Sequence, residues 1–244
     1  MNAAEYDNLA LTEQRHWYYA GKRDVVHYWH ERAGGLRKEH TLLDCGAGTG
    51  LFAGEMAARC RVLVLDDHEE SLSRLRERFS PEQVLRVSAE GIPLADASVD
   101  AITALDVLEH IENDQAAVRQ MARVLRPGGV AVITVPAGMA LWSDWDQSLH
   151  HYRRYHRKQL RALFGNDDWE ILHVNYTNVL IYPAVWVIRK WRAWSKSAGR
   201  NRTEDKIPPR WLNGLLRAIF VNMGRWRTPL PFGVSLLLVA RRRG

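Results

Sequence analysis

Three glycines at alternate positions, in the run Leu42-Leu-Asp-Cys-Gly-Ala-Gly-Thr-Gly50, constrain this chain more than any other feature. The two leucines running into Asp44 read as the end of a buried strand. The glycines then demand a turn that side chains would block, because glycine takes positive φ freely and lets a ligand touch the backbone. A helix expected from about Leu51 points its N-terminal amides and the positive end of its dipole into that turn. Strand, turn and helix together make a cradle for a nucleotide-type ligand.

The surroundings agree. Arg61-Val-Leu-Val-Leu65 reads as a second buried strand that closes on Asp66 and Asp67. Asp66 stands twenty residues beyond Gly46, the spacing at which a carboxylate on the second strand reaches a ribose hydroxyl pair. The nicotinamide fingerprint places a glycine or alanine sixth in its pattern, and here the sixth residue is Leu51. What remains is G-x-G-x-G behind an acid. A tight turn with no ligand would leave three glycines and two acids unexplained.

On these residues the chain resembles the class I S-adenosylmethionine (SAM) methyltransferases, in the small-molecule branch that includes the ubiquinone and menaquinone C-methyltransferases. The likeness runs motif by motif from about Leu42 to Pro136. Ser88-Ala-Glu-Gly-Ile-Pro93 resembles the loop after the third strand, with Ser88 where the family usually carries an aspartate for the adenine amino group. Ser98 to Leu105 resembles the fourth strand and Asp106-Val-Leu-Glu-His110 the segment just past its end. Leu125-Arg-Pro-Gly-Gly129 resembles the helix stop before a fifth strand, Val130 to Val135; there proline ends the helix and the glycines turn the chain.

The resemblance implies an α/β, Rossmann-like, doubly wound sheet, mostly parallel with an antiparallel last strand. It also implies SAM as cofactor, held by Asp44, Gly46, Ala47, Gly48 and Gly50, with Asp66 or Asp67 at the ribose. Ser88, Ala89 and Glu90 would lie by the adenine, and Leu105 and Asp106 at the end of the fourth strand. One domain is expected for 244 residues with 46% hydrophobic content. Its core runs over about 36–174 and 229–243, behind an N-terminal helical cap at about 8–33. That cap, with Trp17, Val25, Tyr28 and Trp29 as an apolar stripe, is read as core packing on the sheet. Tyr18, Tyr19 and Arg23 are candidates for contacts in the cleft.

After Pro136 the chain leaves the fifth strand on the side where open α/β sheets bind ligands. The segment is rich in aromatics, imidazoles and carboxylates. Trp142, Trp145, Tyr152, Tyr155 and Arg154 are the candidates for holding an acceptor. A hydroxyl acceptor must lose its proton near the moment of attack, and histidine suits that role near neutral pH. His151 is the first choice as base and His110 the second. Asp144, Asp146, His150 and His151 fall close together, but without a recognised metal-ligand spacing, so no metal is expected. Methylation of a base amine usually accompanies an Asn/Asp-Pro-Pro-aromatic run after the fourth strand, and Asp106-Val-Leu-Glu does not provide one.

Between about Asn175 and Thr228 lies an insertion too long for a connector. It holds two helical candidates, Val179 to Trp194 and Trp211 to Trp226, and the final strand, Val234 to Ala240, follows. Charge divides the chain here. Residues 1–185 carry 20 Lys/Arg and 26 Asp/Glu, whereas 186–244 carry 14 and 2, so an acidic body bears a basic end. Trp186, Trp191, Trp194, Trp211 and Trp226 sit among those cations. The pattern points to an interfacial element and acceptor lid over 179–228 that meets anionic lipid. The expected acceptor is therefore a lipophilic small molecule (aryl, quinone-like or polyketide-type), methylated on oxygen or carbon. The alternatives are a lipid amine, or a nucleic-acid-directed or RNA-binding role for the same charge, which the interleaved large aliphatics disfavour. The apolar runs are about half the length a bilayer span needs. Two cysteines without a disulfide or metal pattern, Cys45 and Cys60, and a polar start suggest a cytoplasmic setting, peripheral at the inner face of a membrane.

Overall fold

Among the described residues the buried runs become seven strands of one sheet. They are β1 (Thr41–Cys45), β2 (Arg61–Asp66), β3 (Val84–Arg86), β4 (Val99–Leu105), β5 (Leu125–Pro136), β6 (Trp169–Thr177) and β7 (Ser235–Arg242). The computed structural model describes residues 10, 12–165, 167–195 and 207–244. The spatial order is β3-β2-β1-β4-β5-β7-β6. β1 pairs in parallel with β2 and β4, and β7 runs antiparallel to both β5 and β6. This is the mostly parallel, Rossmann-like sheet with a reversed last strand that the motifs imply. Chain order reverses between β1 and β4, so the loops leaving these two strands face one crevice, where such sheets bind ligands.

Helices cover both faces, which is why the central strands are buried on either side. One core layer joins the sheet to α4 (Asp114–Val124) and α6 (Arg157–Leu163) through Val118, Met121 and Leu160. The other joins it to α1 (Trp17–Arg32), α2 (Leu51–Met56) and α8 (Arg210–Gly224) through Trp17, Trp29, Phe52, Met56 and Phe220. α3 (Glu69–Arg78) follows β2, α5 (Asp144–Ser148) follows β5, and α7 (Tyr182–Ser195) follows β6. Pro183 falls in the first turn of α7, where its missing N–H costs nothing.

α8 is part of the body, which corrects the reading of the whole insertion as a lid. It lies against α1 at small residues: a Cβ on Gly21 would sit 2.8 Å from Phe220, and one on Gly224 would sit 2.5 Å from Val25. The Trp29 indole donates to the Gly224 carbonyl at 2.9 Å, and Asn213 accepts from the Trp17 amide at 2.9 Å. Arg217 spans to Asp24 with two bonds, at 2.7 and 2.9 Å. Deleting the 175–228 segment would take Phe220 and Val221 out of buried places.

Two core histidines give the fold a pH dependence. Burial, with His27 nearby, pushes His30 down to about 3, and its ring bonds Thr103 at 2.9 Å. Burial, with Arg227 and Arg157 nearby, pushes His173 down to about 4, where it stacks on Trp29 at 4.0 Å. Both folded pKa values lie below the unfolded value of about 6.5, so at acid pH the unfolded chain binds more protons. Stability should be whole at neutral pH and fall as pH drops from about 6.5 through the folded values. Thermal unfolding midpoints measured across that window check it, and a flat profile would refute it.

Candidate functional site

The turn after β1 has the backbone that the glycines suggested. Gly46, Gly48 and Gly50 adopt φ of 64°, 56° and 72°. Two of them are also required by their neighbours. A Cβ on Gly46 would meet Val107 at 2.6 Å, and one on Gly50 would meet Phe79 and Leu75 at 2.7 and 2.8 Å. Gly48 differs, since a Cβ there finds nothing nearer than 4.0 Å and would stand in open space. Val107 belongs to the loop after β4, so the contact at Gly46 places that loop directly beside the turn.

Asp66 braces this turn. One carboxylate oxygen accepts from the Gly48 amide at 3.1 Å and from Ser71 Oγ at 2.7 Å. The other accepts from the amides of Asp67 and His68 at 2.9 and 3.1 Å. Asp67 is exposed and pairs with His68 at 2.9 Å. Asp44 is buried at the end of β1, and its carboxyl is pushed well up by burial and by Glu13 and Asp66. Glu13 reaches the turn from the N-terminal segment, where Thr49 donates to it at 2.6 Å. Burial raises its pKa too, against the pull of Thr49 and Arg23. Three carboxyls thus crowd the cradle, and a cation would relieve them.

Other cofactor candidates are placed around this cleft with different degrees of freedom. Ser88, Ala89 and Glu90 are exposed in a tight turn closed by two 3.0 Å backbone bonds between Ser88 and Gly91. Leu105 is half-buried. Asp106 has φ of 57° and is committed on both oxygens, to Lys22 on α1 and to Thr134 at 2.9 Å. Burial works against its charge, but Lys22 prevails and holds the carboxyl below its ordinary range. Its visible work is to fasten α1 across the sheet. Of the α1 candidates, Arg23 is buried and bonded to Glu55 and the Glu13 carbonyl, and Tyr18 lies 3.3 Å from Ser235 Oγ.

The segment after β5 folds back on the loop after β4. α5 begins at a capping box in which Asp146 Oδ2 accepts from the Ser143 amide at 3.0 Å. The same fully buried carboxylate accepts from Arg154 at 2.6 Å, meets Arg189 of α7 at 3.3 Å and lies 3.1 Å from His151 Nδ1. Burial alone would raise its pKa, but His151, Arg154 and Arg189 hold it at about 2. Asp146 is therefore an anion that fixes the His151 ring through Nδ1 and leaves Nε2 as the ring nitrogen it does not engage. The His110 ring stands edge-on to that of His151, 4.6 Å between centroids, with partial burial and His151 pushing its pKa down to about 4.

Glu109 lies close to these rings, fully buried, and neither carboxylate oxygen has a hydrogen-bond partner among the described residues. Burial and Asp106 raise its pKa well above the carboxylate range. Ligand atoms of Glu109, His110 and His151 lie within 4.8 Å of one another, as do those of Asp66, Asp67 and His68, so either group could hold a metal ion. Sequence spacing could not show the first of these, because His151 arrives from a different loop.

Two acceptor candidates prove structural. Tyr155 is buried, and its hydroxyl donates to Asp114 at 2.8 Å and lies 3.1 Å from the Leu108 carbonyl. Arg154 is also buried, donating to the carbonyls of Ala137 and Val234 as well as to Asp146. Both hold the loop rather than a ligand. Tyr152 remains exposed at the mouth, with its amide donating to the Glu109 carbonyl at 2.8 Å, while Trp142 and Trp145 are half-buried. The sequence reading gives Glu109 no role at the site, and it weighs Asp146 only for metal binding. Asp146 had a usable signal in its five-residue spacing from His151 on the same loop.

Residues 43–133 match the family described as a methyltransferase domain. A probable S-adenosylmethionine-dependent methyltransferase of Mycolicibacterium smegmatis is 29% identical over 66% of this chain and 62% of its own length. One of the same description from Mycobacterium tuberculosis is 26% identical over 57% of this chain. The chain spans 53% of that protein's length, so its matches to these curated relatives are partial. Among solved structures, Haemonchus contortus phosphoethanolamine N-methyltransferase 2 matches with a TM-score of 0.65 at 14% identity, over 100% of this chain and 59% of that one. A chain from the complex of the Haloferax volcanii Trm112 methyltransferase activator matches with 0.65 at 17% identity, covering 99% and 96%. The fold is that of Rossmann-like methyltransferases, and the methyltransferase-domain match lies on its β1-to-β5 part.

Proposed function

We propose that this protein transfers a methyl group from SAM to a hydroxyl of a small lipophilic acceptor. The observation that carries the acceptor chemistry is the pairing of His151 Nδ1 with the buried, ionised Asp146 at 3.1 Å. That pairing fixes the imidazole tautomer and orientation, and a held imidazole is a good general base near neutral pH. The hydroxyl proton goes to Nε2 of His151. Tyr152, Trp142 and Trp145 would line the acceptor's approach.

The residues of the cradle fit SAM on physical grounds. SAM carries two positive centres, an ammonium and a sulfonium, and the crowded carboxyls of Asp44, Glu13 and Asp66 supply the complementary charge. Gly48 leaves room against the backbone, with Gly46, Ala47 and Gly50 shaping the turn. Asp66 and Asp67 at the end of β2 suit the ribose, and Ser88, Ala89 and Glu90 the adenine. When bound, SAM supplies a methyl carbon activated by its sulfonium.

Asp66→Ala should weaken SAM binding by about 1–3 kcal/mol, the scale of charge-assisted bonds left unmade at the Gly48 amide and the ribose. Calorimetry checks this, and a larger effect from Asp67→Ala would move the ribose contact to that residue. The function itself is tested by incubating the protein with methyl-labelled SAM and a lipid extract. A labelled product one methylene heavier, methylated on oxygen, is expected in the organic phase. Label on nitrogen or carbon would replace the hydroxyl reading, and label recovered only in nucleic acid would overturn the small-molecule one.

A further inference from the structure

We infer that the solvent face of α7 docks the protein onto an anionic lipid bilayer. A surface helix of a globular protein ordinarily turns its polar residues to water. α7 does the reverse. Ala184, Val187, Ile188 and Trp191 recur at helical spacing on one face, and all four are exposed. Val187, Ile188 and Trp191 show 56%, 44% and 60% of their surface, and Trp194, one turn further on, shows 83%. A charged side chain points inward instead, since Arg189 is bonded to the Leu141 carbonyl and reaches Asp146 at 3.3 Å. An exposed aliphatic and aromatic stripe of this kind marks an interaction site.

The chemistry selects lipid. Neither α7 nor α8 contains an acidic residue. Lys190, Arg210 and Arg227 are exposed on or beside the two helices, and the chain from 186 onward is strongly basic. Tryptophans at the rim suit the headgroup level, where an apolar ring body and a polar N–H are both satisfied. A second copy on this face would set basic end against basic end. Nucleic acid would leave Val187 and Ile188 without partners. No described helix is long and apolar enough to cross a membrane, so α7 would lie in the interface plane. Of the other basic residues in this stretch, Arg189 is taken by Asp146, while Lys196, Arg200, Arg202 and the Arg192 side chain lie outside the described residues.

The position gives the surface a purpose, which rests on the methyl-transfer reading. Arg189 and His151 share Asp146, so the bilayer-facing helix stands one carboxylate away from the proposed base. An acceptor dissolved in the membrane would reach the site without crossing water.

The test is flotation of the full chain with vesicles of phosphatidylcholine alone or with 30% phosphatidylglycerol (about 30%, enough to set up a surface potential). Binding is expected on the anionic vesicles and should weaken by about tenfold when salt rises from about 0.05 to 0.5 M. The triple variant Val187→Ser, Ile188→Ser, Trp191→Ser should lose about tenfold or more in partitioning. Its SAM affinity by calorimetry should stay native, which shows that the fold is intact and keeps this test separate from the cofactor assignment. Equal vesicle binding by variant and wild type, or none by either, overturns the proposal. So does a self-association that the triple variant abolishes in the absence of lipid, or RNA that displaces the vesicles and binds the variant undiminished.

Discussion

Replacing His151 by alanine is expected to cut turnover on a hydroxyl acceptor by about 10²- to 10⁴-fold, the usual contribution of a positioned general base. SAM affinity should stay near native, because His151 belongs to the loop after β5 and the cradle to the turn after β1. Asp146→Asn should also slow turnover, through the lost hold on Nδ1, and should lower the thermal midpoint as well. The midpoint falls because Arg154 and Arg189 would keep their buried charges with no anion between them, and breaking one partner of a buried ion pair is costly. The two variants therefore separate: His151→Ala is a kinetic lesion, and Asp146→Asn is kinetic and structural. If His110→Ala alone abolishes turnover, the base is His110. If neither histidine matters, the methyl goes to carbon or to an amine that is already neutral.

The main chain of this site was legible in the sequence, and its side-chain commitments were not. Glycine spacing, an acid at each strand end and buried runs of five or six residues located β1, the turn and β2, because backbone conformation depends on local residue type. Arg154 and Tyr155 looked like acceptor ligands, since a polar-aromatic loop beyond a strand end is where ligands bind. Their partners are Val234 and Leu108, 80 and 47 residues away, and no local pattern reports a bond of that range. α8 was misjudged for a related reason. Whether such a helix meets lipid or protein is decided by its partner helix, and Gly21 on α1 makes room for Phe220. Among the described residues α7 has no such partner on its outer side, and there the reading from charge and tryptophan stands as a proposal.

Gly48→Val is expected to abolish SAM binding while leaving the fold standing. The two neighbouring glycines cannot make this separation. At Gly50 even an alanine Cβ would press on Phe79 and Leu75 at 2.7 and 2.8 Å, so its loss of binding would be mixed with overpacking worth about 1–3 kcal/mol. At Gly48 the described residues offer no atom closer than 4.0 Å, so against them valine costs the fold its unfavourable left-handed backbone, about 1–3 kcal/mol. What valine removes is the open room itself. A ligand that lies against the Gly48 backbone would meet two methyl groups, and an affinity loss of about 100-fold or more, roughly 2.7 kcal/mol, should follow. Calorimetry with SAM and thermal melts on the same preparation read the two effects independently. Native affinity in a folded Gly48→Val protein would mean that the ligand does not use this turn, and the cofactor assignment would fall with it.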